Sequence, residues 1–309
     1  MPRTAWSLAL HGGAGARPDG LPRGELEQIR RSLEQALEAG RAVLVAEGCG
    51  IDAVQSAVGV LERSGLFNAG RGSVLNQAGQ VEVDAAIMDG ADRRAGAVAA
   101  VRHVANPIDL AREVLEDGRH VLLVAEGAEA FAQSRGFRLC PDTELTSERR
   151  LKELDAVRRS AQEGGRSASL PWHPTGTVGA VALDAHGSLA AATSTGGLTN
   201  KRPGRVGDSP LLGAGTLAEN GVCAVSATGA GEYFIRYTAA SDVRARIKYR
   251  GETVEAAARA VIAEIEAAGG RGGLIALDHS GALAMPYCTD GMLRGWVSAS
   301  QSARVIVDD

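Results

Sequence analysis

Gly176-Thr177-Val178-Gly179-Ala180-Val181-Ala182-Leu183-Asp184 is the stretch on which the reading of this chain turns. From Val178 to Leu183 it is apolar without a break, and a short run of this kind reads as a strand buried on both faces. A threonine hydroxyl at the mouth of such a strand needs a partner. It makes sense there if it is a nucleophile. Upstream, from about Pro141 to Pro174, the chain is polar and reads as a loop that can be parted from the strand. The stretch therefore reads as cut between Gly176 and Thr177. The freed threonine would carry hydroxyl and α-amine together, nucleophile and base in one residue.

The rest of the sequence sets the frame. Its 309 residues allow one large domain or two ordinary ones, with a substantial core. Hydrophobic residues at 45% and charged residues at 23% are values of an ordinary soluble protein. A net charge of −4 gives no reason to expect nucleic acid or an anionic membrane as partner. No apolar run approaches the roughly 20 residues of a membrane span. The start, Met1-Pro2-Arg3-Thr4-Ala5-Trp6, lacks a secretory pattern, so a cytoplasmic location is expected. Cys49, Cys140, Cys223 and Cys288 lie far apart and read as isolated thiols. The 6 histidines show no metal-ligand spacing, so no catalytic zinc is expected. Glycine, at 40 residues, implies tight turns and close backbone approaches, which suits a layered fold of short strands.

Periodicity supplies the elements. Ser7–Leu10 reads as a strand that stops at the glycines after His11, and residues 25–46 as an amphipathic helix. A second helix is capped by Asp52 and ends at Gly65. Strands are expected over 81–88, 96–101 and 120–124, with a helix from Pro107 to about 115 and another over 126–134. Residues 147–162 are dense in charge with a weak helical stripe, read as a solvated face; 164–174 have no periodicity. Together they make a mobile linker over about 141–176. Beyond Thr177, strands are expected over 177–184, 189–195, 210–215, 222–227, 272–278 and 283–287, and helices over 231–248 and 252–267. The simplest architecture is two packed sheets with helices outside, four layers in all.

Several blocks resemble one family. Gly176-Thr177-Val178-Gly179-Ala180-Val181, Thr193-Ser194-Thr195-Gly196-Gly197, Asn200 to Asp208 and Thr228-Gly229-Ala230-Gly231-Glu232 are similar to the plant-type asparaginase and isoaspartyl peptidase family of N-terminal-nucleophile hydrolases. So are His11-Gly12-Gly13-Ala14-Gly15, Leu66 to Gly70 and Met88-Asp89-Gly90. In this order and spacing the blocks are highly specific, and they span nearly the whole chain. The resemblance implies an α/β fold, a four-layer αββα sandwich. Residues 1–309 would form a single domain, self-cleaved into an alpha subunit, 1–176, and a beta subunit, 177–309. The substrates would be isoaspartyl dipeptides and L-asparagine, and the assembly a dimer of heterodimers.

Each candidate residue also has a plain reading. Alone, Thr177 merely starts a strand, and Thr195 is a turn threonine bonding its own backbone. Alone, Arg205 and Asp208 are a surface ion pair worth roughly 0–1 kcal/mol. As a functional pair they can grip a zwitterion, Arg205 taking the α-carboxylate with two parallel bonds and Asp208 the ammonium. That clamp would present a β-carbonyl to Thr177. The resemblance assigns these same roles, makes Thr195 the second catalytic threonine, and gives Thr228 with the Gly229 amide as oxyanion hole. Asn68 is an ordinary turn asparagine by itself; the family implies that it approaches the nucleophile and contributes to substrate binding. No cofactor is expected for catalysis. A structural sodium bound through backbone oxygens of Leu61, Glu62, Ser64, Phe67, Ala69 and Arg71 is implied by resemblance only. Gly213 to Ala218 matches a dinucleotide fingerprint, but Asn220-Gly221 breaks the chain where a helix is required, so nucleotide binding is rejected. Two other functions stay open: a glycosylasparaginase, and an unprocessed amino-acid-binding homologue.

Overall fold

The computed structural model describes residues 5–16, 21–162 and 176–307. In chain order its strands are β1 (Ser7–Gly15), β2 (Val83–Asp89), β3 (Ala95–Val101), β4 (Leu122–Val124), β5 (Val178–Leu183), β6 (Leu189–Thr195), β7 (Thr216–Glu219), β8 (Cys223–Gly229), β9 (Gly272–Asp278), β10 (Leu283–Ala284), β11 (Gly291–Ser298) and β12 (Gln301–Ile306). The helices are α1 (Arg23–Val45), α2 (Gly50–Arg63), α3 (Pro107–Asp117), α4 (Ala125–Ser134), α5 (Asp142–Leu145), α6 (Glu148–Gln162), α7 (Gly231–Arg236), α8 (Ala239–Arg250) and α9 (Val254–Ala267).

The decisive apolar run is β5, buried throughout, and it lies inside an 8-stranded sheet of order β12-β11-β1-β5-β6-β2-β3-β4. A second sheet runs β10-β9-β8-β7. Three apolar seams define the layers. Leu33 and Leu37 of α1 with Val54, Val58 and Leu61 of α2 pack on Leu8, Leu10, Ala180 and Ala182 of the large sheet. Val243 of α8 and Val261 and Ile265 of α9 pack on Val225, Leu274 and Ala276 of the small sheet. Val181, Leu183, Leu189 and Ala191 meet Ala224, Ile275 and Leu277 between the sheets. Helices, sheet, sheet and helices make the four-layer αββα sandwich expected from the sequence.

Side chains two apart on a strand share a face. On β5 the face toward the second sheet therefore carries Thr177, Gly179, Val181 and Leu183. Its antiparallel partner β6 sets Thr193 opposite Gly179, Ala191 opposite Val181 and Leu189 opposite Leu183. The seam between the sheets is thus apolar at the leucine end and turns to hydroxyls at the other. That gradient puts the polar chemistry at one end of the sandwich.

Several elements differ from the sequence reading. β1 runs on through the glycines to Gly15, with a bulge between His11 and Gly13, a common use of glycine in strands. Asp52 does not cap α2; Cys49 holds that position, and the Asp52 carboxylate accepts from Arg112 at 2.7 Å. Residues 210–215 form turns rather than a strand, and β7 starts at Thr216. The helix expected over 231–248 is two helices, broken where Thr238 turns left-handed (φ 44°, ψ 50°). The strand expected over 283–287 stops at Ala284, short of Pro286, which has no N–H to give a ladder. β11 and β12 were not foreseen. The supposed linker is helical up to Gln162, and Arg150 of α6 is 2% exposed, its Nε donating to the Gly72 carbonyl at 2.7 Å. The charge-dense run is therefore docked through Arg150 and Leu154, while Glu148, Lys152, Asp155, Arg158 and Arg159 keep the solvated face. The remainder of that linker, 163–175, lies outside the described residues.

Candidate active site

Thr177 stands just before β5, and its hydroxyl donates to Thr195 Oγ1 at 2.9 Å. Thr195 closes β6, is buried, and also accepts the Gly197 N–H at 3.0 Å. Two donors on one oxygen fix Thr195 as an acceptor aimed at the nucleophile position.

The peptide before Thr177 is gripped from both sides. Gly176 N–H donates to the Gly12 carbonyl at 2.9 Å, and the Gly176 carbonyl accepts from Asn68 N–H at 3.1 Å. The close approach depends on Gly13, at φ +113°, where a β-carbon would stand 2.2 Å from Gly176 N. Asn68 therefore meets the site through its backbone. Its side chain is occupied elsewhere, Nδ2 donating to the Gly197 carbonyl at 2.7 Å and Oδ1 accepting from Val74 N–H at 3.0 Å. Thr228 Oγ1, at the end of β8, accepts the Ala14 N–H at 3.3 Å and faces the Gly176 α-carbon. Gly229 follows at φ +144°, a conformation suited to glycine, with Arg271 O and the Gly272 α-carbon where a β-carbon would go.

Behind the threonines lies a buried polar chain that the sequence did not reveal. His11 of β1 is opposite Gly179, and its ring fills the space the glycine leaves. Its Nδ1 lies 3.1 Å from the Thr177 carbonyl, an acceptor, so Nδ1 carries the proton. Nε2 must then accept, from Ser226 Oγ at 3.0 Å. Ser226 pairs with Thr193 at 2.7 Å, and Thr216 donates to Thr193 at 2.6 Å. Burial pushes the His11 pKa down to about 3, against the smaller opposing effect of the Thr177 carbonyl. The imidazole is accordingly neutral, with its tautomer set by the Thr177 carbonyl and accommodated by the chain of hydroxyls. A histidine and three hydroxyls on four different strands leave no local spacing to find.

Arg205 and Asp208 come together on the loop between β6 and β7. The loop is pinned to the start of β2: Lys201 Nζ donates to the Glu82 carbonyl at 2.8 Å, and Gly204 N–H to the Glu82 carboxylate at 3.1 Å. Bare glycines let the pair approach the chain next to Thr195 and Gly229. A β-carbon on Gly197, two residues from Thr195, would stand 3.2 Å from Arg205 Nη1. One on Gly231, two residues from Gly229, would stand 2.7 Å from Asp208 Oδ1 and 3.0 Å from Arg205 Nη2. Asp208 is 5% exposed with Oδ2 lacking a hydrogen-bond partner, and desolvation raises its pKa to about 7. An arriving ammonium would supply the missing partner. Glu232, which closes the block that begins at Thr228 but was given no role there, accepts from Arg205 Nε at 2.9 Å.

The turn after α2 gathers carbonyl oxygens. Phe67 O and Gly65 O crowd Gly72, and Glu62 O and Ala105 O crowd Gly70. The carbonyls of Leu61 and Ala69 already accept from Ser64 and Gly72. The Glu62 carboxyl is fully buried, and desolvation raises its pKa to about 8, so at neutral pH the turn offers neutral oxygens. That donor set suits a weakly held monovalent cation. Among the described residues no His, Cys, Asp and Glu cluster could hold a transition metal. The rejected dinucleotide fingerprint runs into β7, with no helix after it.

Comparison with known proteins places nearly the whole chain in a family. Residues 4–307 match the family described as asparaginase. The chain is similar to an isoaspartyl peptidase of Salmonella typhimurium, 48% identical, with 94% of this chain and 94% of that protein covered. An isoaspartyl peptidase of Escherichia coli is also 48% identical, with 94% and 92% covered. An isoaspartyl peptidase/L-asparaginase of Mus musculus is 45% identical, with 89% and 82% covered.

Proposed function

Because this chain belongs to the asparaginase family, we propose that it is a self-processing amidohydrolase that releases L-aspartate from isoaspartyl dipeptides and L-asparagine. The observation that carries the reading is the Thr177–Thr195 hydroxyl pair beside a Gly176 peptide held between Gly12 and Asn68. In the intact chain Thr177 Oγ attacks the Gly176 carbonyl carbon. The C–N bond breaks, the nitrogen becomes a free amine, and water then hydrolyses the resulting ester. The Asn68 N–H, already on the Gly176 oxygen, is positioned to hold the charge that develops there.

In the cleaved protein the Thr177 amine, with a reference pKa near ~8, accepts the hydroxyl proton as Oγ attacks the substrate β-carbonyl. Thr195 keeps Oγ aimed. Thr228 Oγ1 and the Gly229 N–H hold the oxyanion, and the amine returns its proton to departing ammonia or amino acid. Water then frees aspartate from the threonine ester. Arg205 and Asp208 hold the zwitterionic end that both substrates share.

The experiment is intact-mass analysis of wild type and Thr177→Ala, with an assay for aspartate release. Wild type is expected as two fragments and turns over both substrates; Thr177→Ala stays one chain and releases none. A cleaved, active Thr177→Ala protein overturns the assignment. Faster turnover of a glycosylated asparagine in the same assay would favour a glycosylasparaginase.

The reading extends to three further features. A sodium ion held by the carbonyl turn at 61–72 fits its neutral oxygens. A cytoplasmic location fits four cysteines that stand as free thiols; among the described residues no helix is long and apolar enough to cross a membrane. A dimer of cleaved heterodimers rests on the family resemblance.

A further inference from the structure

We propose that Glu232 is a positioning residue that sets which edge of the Arg205 guanidinium meets the substrate. The inference rests on Arg205 being the α-carboxylate clamp of the proposed reaction.

An arginine guanidinium can present two forked edges to a carboxylate, Nε with Nη2 and Nη1 with Nη2, and only one partner fits each. The long edge, Nε with Nη2, is taken: both nitrogens lie 2.9 Å from Glu232 Oε1. The terminal edge, Nη1 with Nη2, is bounded by bare backbone. Side chains at Gly197, Gly207 or Gly231 would each come within 3.2 Å of one of its nitrogens. The same missing β-carbon at Gly231 lies 2.7 Å from Asp208 Oδ1. Guanidinium and carboxyl thus approach each other across an α-carbon without a side chain. A zwitterion, with carboxylate and ammonium on one carbon, needs a seat of that shape.

The base of the Arg205 loop is fixed independently, through Lys201 and Gly204 to Glu82. What remains free is rotation of the guanidinium at the end of its chain. Glu232 is the group that settles it. Its side chain is 53% exposed while that of Arg205 is 17% exposed, so the glutamate holds the arginine from the solvent side. Of the neighbouring buried charges, Lys201 on the same loop donates to the Glu82 carbonyl and Asp84 accepts from the Ala100 N–H; neither hydrogen-bonds the guanidinium. No local motif signals the contact, because 27 residues separate the partners.

The role predicts its own kinetic signature. The substrate carboxylate is held alike in ground and transition states, so losing its alignment raises KM and leaves kcat nearly unchanged. Isoaspartyl dipeptide and asparagine share the gripped end, so both must move together. So must inhibition by the product aspartate, which carries the same end.

The test is steady-state kinetics of wild type, Glu232→Ala and Glu232→Gln on both substrates, with aspartate inhibition measured for each. Glu232→Ala is expected to raise KM about tenfold for both substrates, with kcat within about twofold of wild type. The aspartate inhibition constant should rise in parallel. Glu232→Gln keeps an acceptor oxygen and should recover most of the loss. In an Arg205→Ala background Glu232→Ala should add nothing. An unchanged or lowered KM in Glu232→Ala overturns the proposal, as does a fall in kcat at constant KM. Wild type that turns over neither substrate would sink the proposed function instead, a result legible before any Glu232 variant is compared.

Discussion

Two positions allow sharp tests at the scale of single residues. Asp208 is raised to about 7 mainly by desolvation. Below that pH it is protonated in the free enzyme and offers an arriving ammonium no charge. We expect protonation of Asp208 to steepen the fall of kcat/KM below pH 7, adding about a further tenfold per pH unit to the loss that protonation of the Thr177 amine brings from about 8 downward. Once bound, the ammonium favours the carboxylate, so the corresponding limb in kcat should lie at lower pH. Superimposable pH profiles for kcat and kcat/KM would contradict this. Gly179 is the second position. An added methyl there would stand 2.0 Å from Ser226 Oγ and 2.5 Å from His11 Nε2. Gly179→Ala should cost about 1–3 kcal/mol and lower activity by disturbing the histidine behind Thr177, measurable by denaturant melts alongside the assay. Thr177, Arg205 and Asp208 were nominated from the sequence by their residue types together with the blocks that resemble the family. His11, Ser226, Thr193 and Thr216 were not: they meet through sheet register and the packing of opposite sheets.

At the scale of elements, α6 shows how a charge-dense sequence can mislead. A helix rich in Glu and Arg reads as solvated, yet Arg150 is buried with Nε on the Gly72 carbonyl and Nη1 on Glu153 at 2.7 Å. Arg150→Ala would leave a buried carbonyl unpaired and should cost about 1–3 kcal/mol. The same change should speed hydrogen exchange across α6 and the turn at 70–72; unchanged exchange would show that the helix is held by its other contacts. Long periodic helices such as α1 and α9 were legible almost to the residue. β12 was not, since four of its six residues are exposed and its polar sequence carries no alternation. β11 was passed over because glycines interrupt its apolar positions, although five of its eight residues are buried. Thr238 broke the long helix with a left-handed turn that a β-branched residue rarely adopts.

At the scale of the whole molecule, buried carboxyls set a pH dependence of stability. Desolvation raises the Glu62 pKa from its usual 4.5 to about 8, and that of Asp208 from 3.8 to about 7. Each binds a proton when folded at pH values where the unfolded chain has released it. Their contributions are therefore largest below the unfolded values and shrink as pH rises to the folded ones. His11, depressed to about 3, is neutral in the folded protein, and above 6.5 mostly neutral in the unfolded chain too, so it opposes little there. Between pH 6.5 and 8 the molecule should lose roughly 2 kcal/mol from these groups. Thermal melts across that window test it, and Glu62→Gln, which fixes the neutral form, should flatten the slope. The strand order has a different consequence. β1 lies between β11 and β5, and β2 beside β6, so ribbons from either side of Gly176 alternate through the large sheet. The groups that would hold the scissile peptide come from strands and loops on both sides of the cut, and they meet only after that weave is complete. Under the proposed cleavage a misassembled chain could not arm itself, and the new amino terminus would certify that folding had already happened.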